Sequence, residues 1–240
     1  MLKRIYDRSE ILFTVIAILF YVIGTSYMDQ FSMDFGMEML FTLFYDLALF
    51  LFLFTFIKKH GFLDYYGFKR PVKPAGFFLY YTPLILLASV NVWFGFVMRK
   101  DALATVVYVF AMCVVGATEE LLFRGFLFQA MAKKSLRNAI ILTSILFGIG
   151  HIVNLINGSG QSTLESICQV FYAVSIGFLL AAVLYRGKSI IPGMIMHGIF
   201  NALSVFSNEA MFELYQIHVS VALCILSTLS AVYLLKKKEA

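Results

Sequence analysis

Residues 103–128 read LATVVYVFAMCVVGATEELLFRGFLF, an apolar run whose only charged residues are Glu119, Glu120 and Arg124. A helix needs about 20 predominantly apolar residues to cross about 30 Å of hydrocarbon, and this run is long enough. Ionisable side chains in a bilayer core cost a few kcal/mol each and by default indicate a functional site. The stretch therefore predicts a membrane-spanning helix that carries polar chemistry.

The composition of the whole chain agrees with a membrane protein. Hydrophobic residues make up 61% of the 240 residues and charged residues 14%, with a mean hydropathy of +0.86. A soluble domain of this length cannot bury that much apolar surface. The net charge of +5 is modest and does not indicate nucleic-acid binding. We predict an all-α, polytopic helical bundle that forms a single membrane domain over residues 1–240.

Eight apolar segments are predicted to cross the bilayer as helices. They lie near residues 11–28, 37–57, 75–98, 103–128, 138–157, 164–185, 188–207 and 213–235. If the N-terminus is cytoplasmic, the inner loops and ends carry 16 of the 19 Lys and Arg residues, and the outer loops carry only Arg99 and Lys100. Because basic residues concentrate on the cytoplasmic side, both termini are predicted to be cytoplasmic.

Two polar features outside the central segments allow alternatives. The loop over residues 58–74 mixes aromatic with basic residues, as in Tyr65, Tyr66 and Lys69. It is typical of an interfacial anchor on anionic lipid, and the alternative is an element that guides a substrate. Asp46 lies inside the second segment, where it would either polarise a group of the site or bond to a Ser or Tyr of a neighbouring helix.

Three short motifs lie within the predicted spans. They are Glu119-Glu120-x-x-x-Arg124, Phe147-x-x-x-His151 and His197-x-x-x-Asn201. Glu120 and Arg124 stand at i, i+4 with the acid first, the favourable order for a helical ion pair. Pairing leaves Glu119 free to face a wet cavity and to act as a general base on water. The structural alternative is that both acids join helices.

The two motif histidines lie on separate helices. Phe147 is one turn before His151, so both side chains share a face. His197 and Asn201 are likewise one turn apart and offer two donors for a developing oxyanion, although an interhelical hydrogen-bond pair is the simpler interpretation. Together with Glu119 they supply the base, the water-orienting group and the oxyanion donors that peptide hydrolysis needs.

In this order, the three motifs resemble those of the CPBP family of intramembrane proteases, which contains CAAX proteases and bacteriocin-processing enzymes and is also called the Abi family. The resemblance covers residues 116–202 and is filled at every motif position. It implies a catalytic core near residues 103–207, with a conical cavity open to the cytoplasmic leaflet. The first hundred residues and the last segment carry no motif.

The resemblance also implies roles for the motif residues. Glu119 and His151 would activate a water, His197 and Asn201 would stabilise the oxyanion, and Glu120, Arg124 and Phe147 would support the site. The family has also been classed as metalloproteases, so zinc held by Glu119, His151 and His197 must be weighed. The absence of H-E-x-x-H disfavours a site-2-type zinc protease. We favour water activation without a required cofactor.

The predicted function is endopeptidase cleavage of membrane-associated peptides or proteins in the bilayer. Bacteriocin or signalling-peptide precursors and CAAX proteins are the substrates that the resemblance implies, with or without a lipid group. The predicted location is the prokaryotic cytoplasmic membrane. One alternative is a non-catalytic bacteriocin-immunity or scaffold protein. Another is a proton-coupled transporter, which is disfavoured because transporters usually have two related halves and all the motifs here lie in the C-terminal part.

Overall fold

The computed structural model describes residues 2–72, 77–155 and 162–236. This part of the chain is helical, apart from one isolated bridge between Phe96 and Ser207. The α-helices are α1 Leu2–Arg8, α2 Glu10–Phe35, α3 Leu40–Lys59, α4 Phe77–Ala88, α5 Ala102–Glu120, α6 Phe128–Ala132, α7 Leu136–Gly150, α8 Thr163–Gly187, α9 Ile191–Leu203, α10 Glu209–Leu214 and α11 Gln216–Lys236.

Six helices of the described residues are long and apolar enough to cross a membrane. They are Glu10–Phe35, Leu40–Lys59, Ala102–Ala132, Leu136–Asn154, Thr163–Gly187 and Gln216–Lys236. The prediction of an all-α, polytopic membrane protein is therefore confirmed. The other two predicted spans correspond to shorter helices, the 12-residue α4 and the apolar stretch Ile191–Phe206. At 1.5 Å per residue, α4 reaches only about 18 Å.

The third predicted span was wrong in its second half. Helix α4 ends at Ala88, and a 3-10 turn over Val90–Val92 follows. The Ser89 hydroxyl donates to the Leu86 carbonyl at 3.0 Å, a local bond that competes with continuation of the helix. The chain is then held in an extended course, since the Val97 amide donates to the Phe206 carbonyl at 2.9 Å. Hydropathy alone could not reveal this break, because the residues before it and residues 89–98 after it are both mostly apolar.

The fifth predicted span corresponds to the helical course Leu136–Asn154, whose last turn is a 3-10 helix. Helix α7 ends at Gly150, and His151 begins a 3-10 turn over His151–Leu155. His151 thus lies at the end of a helix instead of inside one. The fourth span, predicted near residues 103–128, is slightly longer than predicted, because the helical course runs from Ala102 to Ala132.

The loops predicted to be cytoplasmic meet at one end of the bundle. Glu10, at the start of α2, accepts a hydrogen bond from the Tyr66 hydroxyl at 2.8 Å and pairs with Lys133. The Ile190 amide donates to the Gly67 carbonyl at 3.0 Å. The last turn of α11 joins the same end, since Arg186 donates to its backbone carbonyls. Three basic residues of the count lie outside the described residues: Lys73, Lys237 and Lys238.

The predicted outer loops meet at the opposite end. Lys100 pairs with Glu38, and Arg99 pairs with Glu209 while its Nε donates to the Val205 carbonyl at 3.2 Å. Asp29 and Asp34 lie beyond the first predicted span, residues 11–28, but α2 runs on to Phe35 and contains them both. The two groups of loops are therefore separated by the length of the bundle.

The aromatic loop after α3 packs part of its length into the bundle. Tyr66 is fully buried, and its hydroxyl lies 2.8 Å from both the Tyr6 hydroxyl and Glu10. The Tyr65 hydroxyl also donates to Glu10, at 3.3 Å. The loop therefore binds the N-terminal helices to the rest of the bundle.

The crossing of α5 and α9 places the central motifs together. A Cβ atom at Gly116 would lie 2.8 Å from the Gly198 backbone nitrogen, closer than real side chains approach. A Cβ at Gly198 would in turn lie 3.3 Å from the backbone of Cys113. Small residues allow membrane helices to approach this closely. The close crossing brings the end of α5, with Glu119 and Glu120, beside His197 on α9.

Candidate active site

A π-helical turn follows directly on the two glutamates. Leu121–Leu127 forms seven residues of π-helix between α5 and α6, and all seven are buried. Such turns within an α-helix are rare and are frequent at functional sites. The turn carries Arg124 inward, where only 1% of its side chain is exposed.

Glu120 and Arg124 form the predicted ion pair. Arg124 Nη1 lies 3.1 Å from Glu120 Oε1, and Glu120 is also 1% exposed. The guanidinium centre lies 4.0 Å from the centre of the Phe147 ring, a cation–π contact. A Cβ at Gly177 on α8 would lie 2.9 Å from Arg124 Nη2, so the absence of a side chain there makes room for the guanidinium.

His197 lies between the two neighbouring carboxylates. Its Nδ1 is 3.1 Å from Glu120 Oε1, and its Nε2 is 3.3 Å from Glu119 Oε2. Two facing lone pairs at this distance would repel, so a proton belongs between Nε2 and Oε2, on one atom or the other. The oxyanion role predicted for His197 with Asn201 did not include this direct contact with Glu119.

The second oxygen of Glu119 also has a partner. The Tyr21 hydroxyl on α2 donates to Glu119 Oε1 at 2.8 Å. Tyr21 was not predicted as a site residue, because it lies far from every motif in the sequence. A weak signal was available, because Tyr21, Thr25 and Asp29 follow one another at i, i+4 and i+8 and form a polar stripe along an apolar helix.

Phe147 lies between the two imidazoles. Its ring centre is 5.1 Å from that of His151 and 5.5 Å from that of His197, in both cases edge to face. His151 is half-buried and lies within electrostatic reach of Glu119, His197 and Arg124. Its side chain makes no hydrogen bond to the described residues, so it is free to hold a water or a substrate group.

Asn201 follows His197 by one turn of α9, as predicted. Its side chain is half-buried and has no hydrogen-bond partner in residues 2–72, 77–155 and 162–236. Its backbone carbonyl accepts from the Ser204 hydroxyl at 2.6 Å, where α9 passes into a 3-10 turn. The amide is thus available to a ligand.

Asp46 bonds to a neighbouring helix, close to one of its two predicted alternatives. Its Oδ1 accepts from the Thr25 hydroxyl on α2 at 2.8 Å, and the side chain is fully buried. Its Oδ2 has no hydrogen-bond partner among the described residues. Asp46 also lies within electrostatic reach of Glu119, although it contacts none of the motif residues.

The residues proposed for zinc do not form a metal site in this arrangement. Glu119 Oε2 and His197 Nε2 are 3.3 Å apart, close to the separation of about 3.4 Å expected for two ligands of one tetrahedral zinc. A catalytic zinc uses three protein ligands. Within the described part of the chain, no group of three or more His, Cys, Asp or Glu side chains is placed to hold a metal ion.

A helical membrane protein that gathers two carboxylates, two imidazoles and a guanidinium inside the bundle has the parts of an intramembrane hydrolase. Comparison with protein families makes the class specific. Residues 101–203 match the family described as "Type II CAAX prenyl endopeptidase Rce1-like" and form a domain of that family. Its members hydrolyse peptide bonds. No curated protein and no solved structure matches the chain.

Proposed function

We propose that this protein is an intramembrane endopeptidase that hydrolyses peptide bonds of membrane-associated peptides or proteins. The observation that carries the proposal is the contact between Glu119 Oε2 and His197 Nε2, 3.3 Å apart and mostly shielded from solvent. A carboxylate and an imidazole that share a proton at this depth form an acid–base pair. The membership of residues 101–203 in a CAAX endopeptidase family supports the same reaction.

In the proposed reaction, a water adds to the substrate carbonyl carbon and gives up one proton to Glu119. The resulting tetrahedral oxyanion accepts hydrogen bonds from His197 and from the Asn201 amide. The C–N bond then breaks, and Glu119 passes its proton to the leaving nitrogen. The products are a carboxylic acid and an amine, and Glu119 returns to its starting form.

The remaining motif residues have supporting roles in this proposal. His151 has no hydrogen-bond partner among the described residues and lies near Glu119, so it orients the attacking water. Glu120 accepts from His197 Nδ1 and thereby sets the direction in which Nε2 points. Arg124 balances the charge of Glu120, while Phe147 separates the two imidazoles.

We propose that no metal is required, with zinc as the alternative to be tested. The proton shared by Glu119 and His197 allows these two side chains to carry out acid–base chemistry by themselves. Activity that is lost on chelation and restored by zinc, with zinc bound stoichiometrically, would overturn this part of the proposal.

We further propose eight crossings with both termini in the cytoplasm of a prokaryotic cell. In addition to the six long helices, α4 and the stretch Ile191–Phe206 would each cross as a short helix. Glu10 contacts Lys133, and Gly67 contacts Ile190, so each contact joins two loops at the same end of the bundle. The chain between two such loops crosses the bilayer an even number of times, which supports an even number of crossings. The conical cavity open to the cytoplasmic leaflet stays a prediction.

The proposal is tested by cleavage assays on purified protein in proteoliposomes. The substrates are a quenched peptide with a C-terminal CAAX sequence, with and without a farnesyl group, and a set of single-span membrane peptides. Glu119→Gln is compared with wild type, and Glu213→Gln, an exposed acid on α10, is the matched control.

We expect cleavage by wild type and Glu213→Gln and its fall to a small residual rate in Glu119→Gln, with unchanged helical content. A preference for the farnesylated peptide would assign lipidated substrates. If folded wild type cleaves none of the peptides, the endopeptidase proposal fails. Protection against a bacteriocin that persists in Glu119→Gln would then favour the immunity or scaffold function.

A further inference from the structure

Helix α2 places one buried tyrosine in an otherwise lipid-facing stretch. Tyr21 is 6% exposed, whereas its neighbour Phe20 is 62% exposed. It lies outside residues 101–203, which form the family domain. A buried phenol hydroxyl requires a hydrogen-bond partner, and here that partner is Glu119 Oε1 at 2.8 Å. A residue from outside the family domain therefore touches the proposed general base.

The two oxygens of Glu119 are held from opposite sides. Oε1 accepts from Tyr21 and Oε2 faces His197 Nε2. A phenol donates a single proton, so its bond to Oε1 restrains rotation about the last side-chain torsion of Glu119. With Oε1 occupied, Oε2 is the oxygen left to exchange a proton with His197 or with water.

Helix α2 is itself fixed on both sides of Tyr21. About three turns earlier, Glu10 pairs with Lys133 beyond the π-helical turn. About two turns earlier, Phe13 packs on Phe126 within that turn, with ring centres 5.5 Å apart. One turn later, Thr25 donates to the buried Asp46 on α3. These contacts hold the phenol in one place relative to the family domain.

We infer that Tyr21 is a positioning residue for the proposed reaction, which orients Glu119 by donating to its Oε1. This inference rests on the proposed function and extends it. The site is then incomplete in residues 101–203 alone, and the N-terminal helices are part of the enzyme's catalytic geometry.

The test compares Tyr21→Phe with a matched tyrosine variant. Tyr45→Phe also removes one phenol hydroxyl between α2 and α3, because Tyr45 donates to the Phe20 carbonyl at 2.8 Å. It changes no group of the proposed site. We expect Tyr21→Phe to lower kcat about tenfold to a hundredfold with KM within about twofold, the loss expected for one hydrogen bond to a charged group. Tyr45→Phe leaves both constants near wild type.

A positioning role also predicts that the two groups act through one another. In a Glu119→Gln background, adding Tyr21→Phe should lower the residual rate less than twofold. A purely structural role would lower kcat equally in both backgrounds, or would raise KM, and either result overturns the inference. Equal kcat for wild type and Tyr21→Phe also overturns it, even when the endopeptidase proposal holds.

A second measurement tests the contact without using proteolysis. Thermal unfolding of Tyr21→Phe, Glu119→Ala and the double variant in detergent forms a double-mutant cycle. We expect non-additive shifts of the unfolding midpoint, whereas the cycle of Tyr45→Phe with Glu119→Ala should be additive. Additive shifts for Tyr21 contradict the contact. If wild type is folded but cleaves nothing, the catalytic role of Tyr21 falls together with the proposed function, and the cycle still decides whether the bond exists.

Discussion

Glu119 on α5 and His197 on α9 meet 3.3 Å apart, although three further α-helices, α6 to α8, separate them along the chain. The meeting depends on the crossing of α5 and α9, where Gly116 faces Gly198 without side chains between the backbones. Tyr21 contacts Glu119 and Phe147 contacts His197, so both shield an ion or a proton between the pair from solvent. The proposed chemistry therefore depends on helix packing as much as on the motifs themselves.

Asn201→Ala should lower kcat about a hundredfold to a thousandfold with little change in KM, because an oxyanion donor acts mainly in the transition state. The measurement is steady-state cleavage of the peptide that wild type accepts. Asn138→Ala is the control, since Asn138 is exposed at the start of α7. A rise in KM with unchanged kcat would instead assign the Asn201 amide to substrate binding.

Arg124→Met should lower the free energy of unfolding by about 3 kcal/mol, since it leaves Glu120 as a buried charge without its cationic partner. The double variant Glu120→Gln/Arg124→Met should recover part of that loss, because neither charge then remains. Unfolding midpoints in detergent check both expectations. Arg137→Met, at an exposed position, should change nothing. Equal stability of Arg124→Met and Arg137→Met would contradict the importance of the buried pair.

Two glycines of α7 should respond differently to alanine. A Cβ at Gly148 would lie 2.8 Å from the Val170 carbonyl oxygen and 2.9 Å from the Val174 amide nitrogen, both backbone atoms of α8. A Cβ at Gly150 meets nothing within 4 Å. We expect Gly148→Ala to lose about 1–3 kcal/mol of stability by overpacking, and Gly150→Ala to be neutral or slightly stabilising. Equal unfolding midpoints for the two variants would show that α7 and α8 are not this closely packed.

Stability should fall at alkaline pH through the buried tyrosines near the N-terminus of α2. Burial raises the pKa of Tyr6 from 10.0 to about 12, and burial also raises the pKa of Tyr66 well above its usual value. A raised pKa means that the folded state favours the neutral phenol. The stabilisation by Tyr6 is complete below pH 10 and is lost as the pH rises from 10 to about 12.

The corresponding measurement is the unfolding midpoint in detergent between pH 9 and pH 12. Tyr6→Phe should show a shallower decline with pH than wild type, because its side chain cannot ionise. Tyr27→Phe, at a position that is 71% exposed, should follow wild type. A decline of equal slope in Tyr6→Phe would remove Tyr6 as a cause of alkaline unfolding.

Parts of the fold followed from local pattern. The apolar runs predicted the long helices, and the distribution of Lys and Arg predicted which loops share an end, as the contact of Glu10 with Lys133 now bears out. The early end of α4 was not predictable, because residues 77–98 stay apolar through the break and only the pairing of Phe96 with Ser207 accounts for the extended course.

The sequence by itself determined the relationships that lie within one turn of a helix. Glu120 pairs with Arg124, and Phe147 packs on His151, because a spacing of four residues places side chains on one face. Only the tertiary structure decided what surrounds Glu119. Its contact with Tyr21 joins residues 98 positions apart, and its contact with His197 depends on a glycine-lined crossing. No local spacing encodes such contacts, since they result from how whole helices pack.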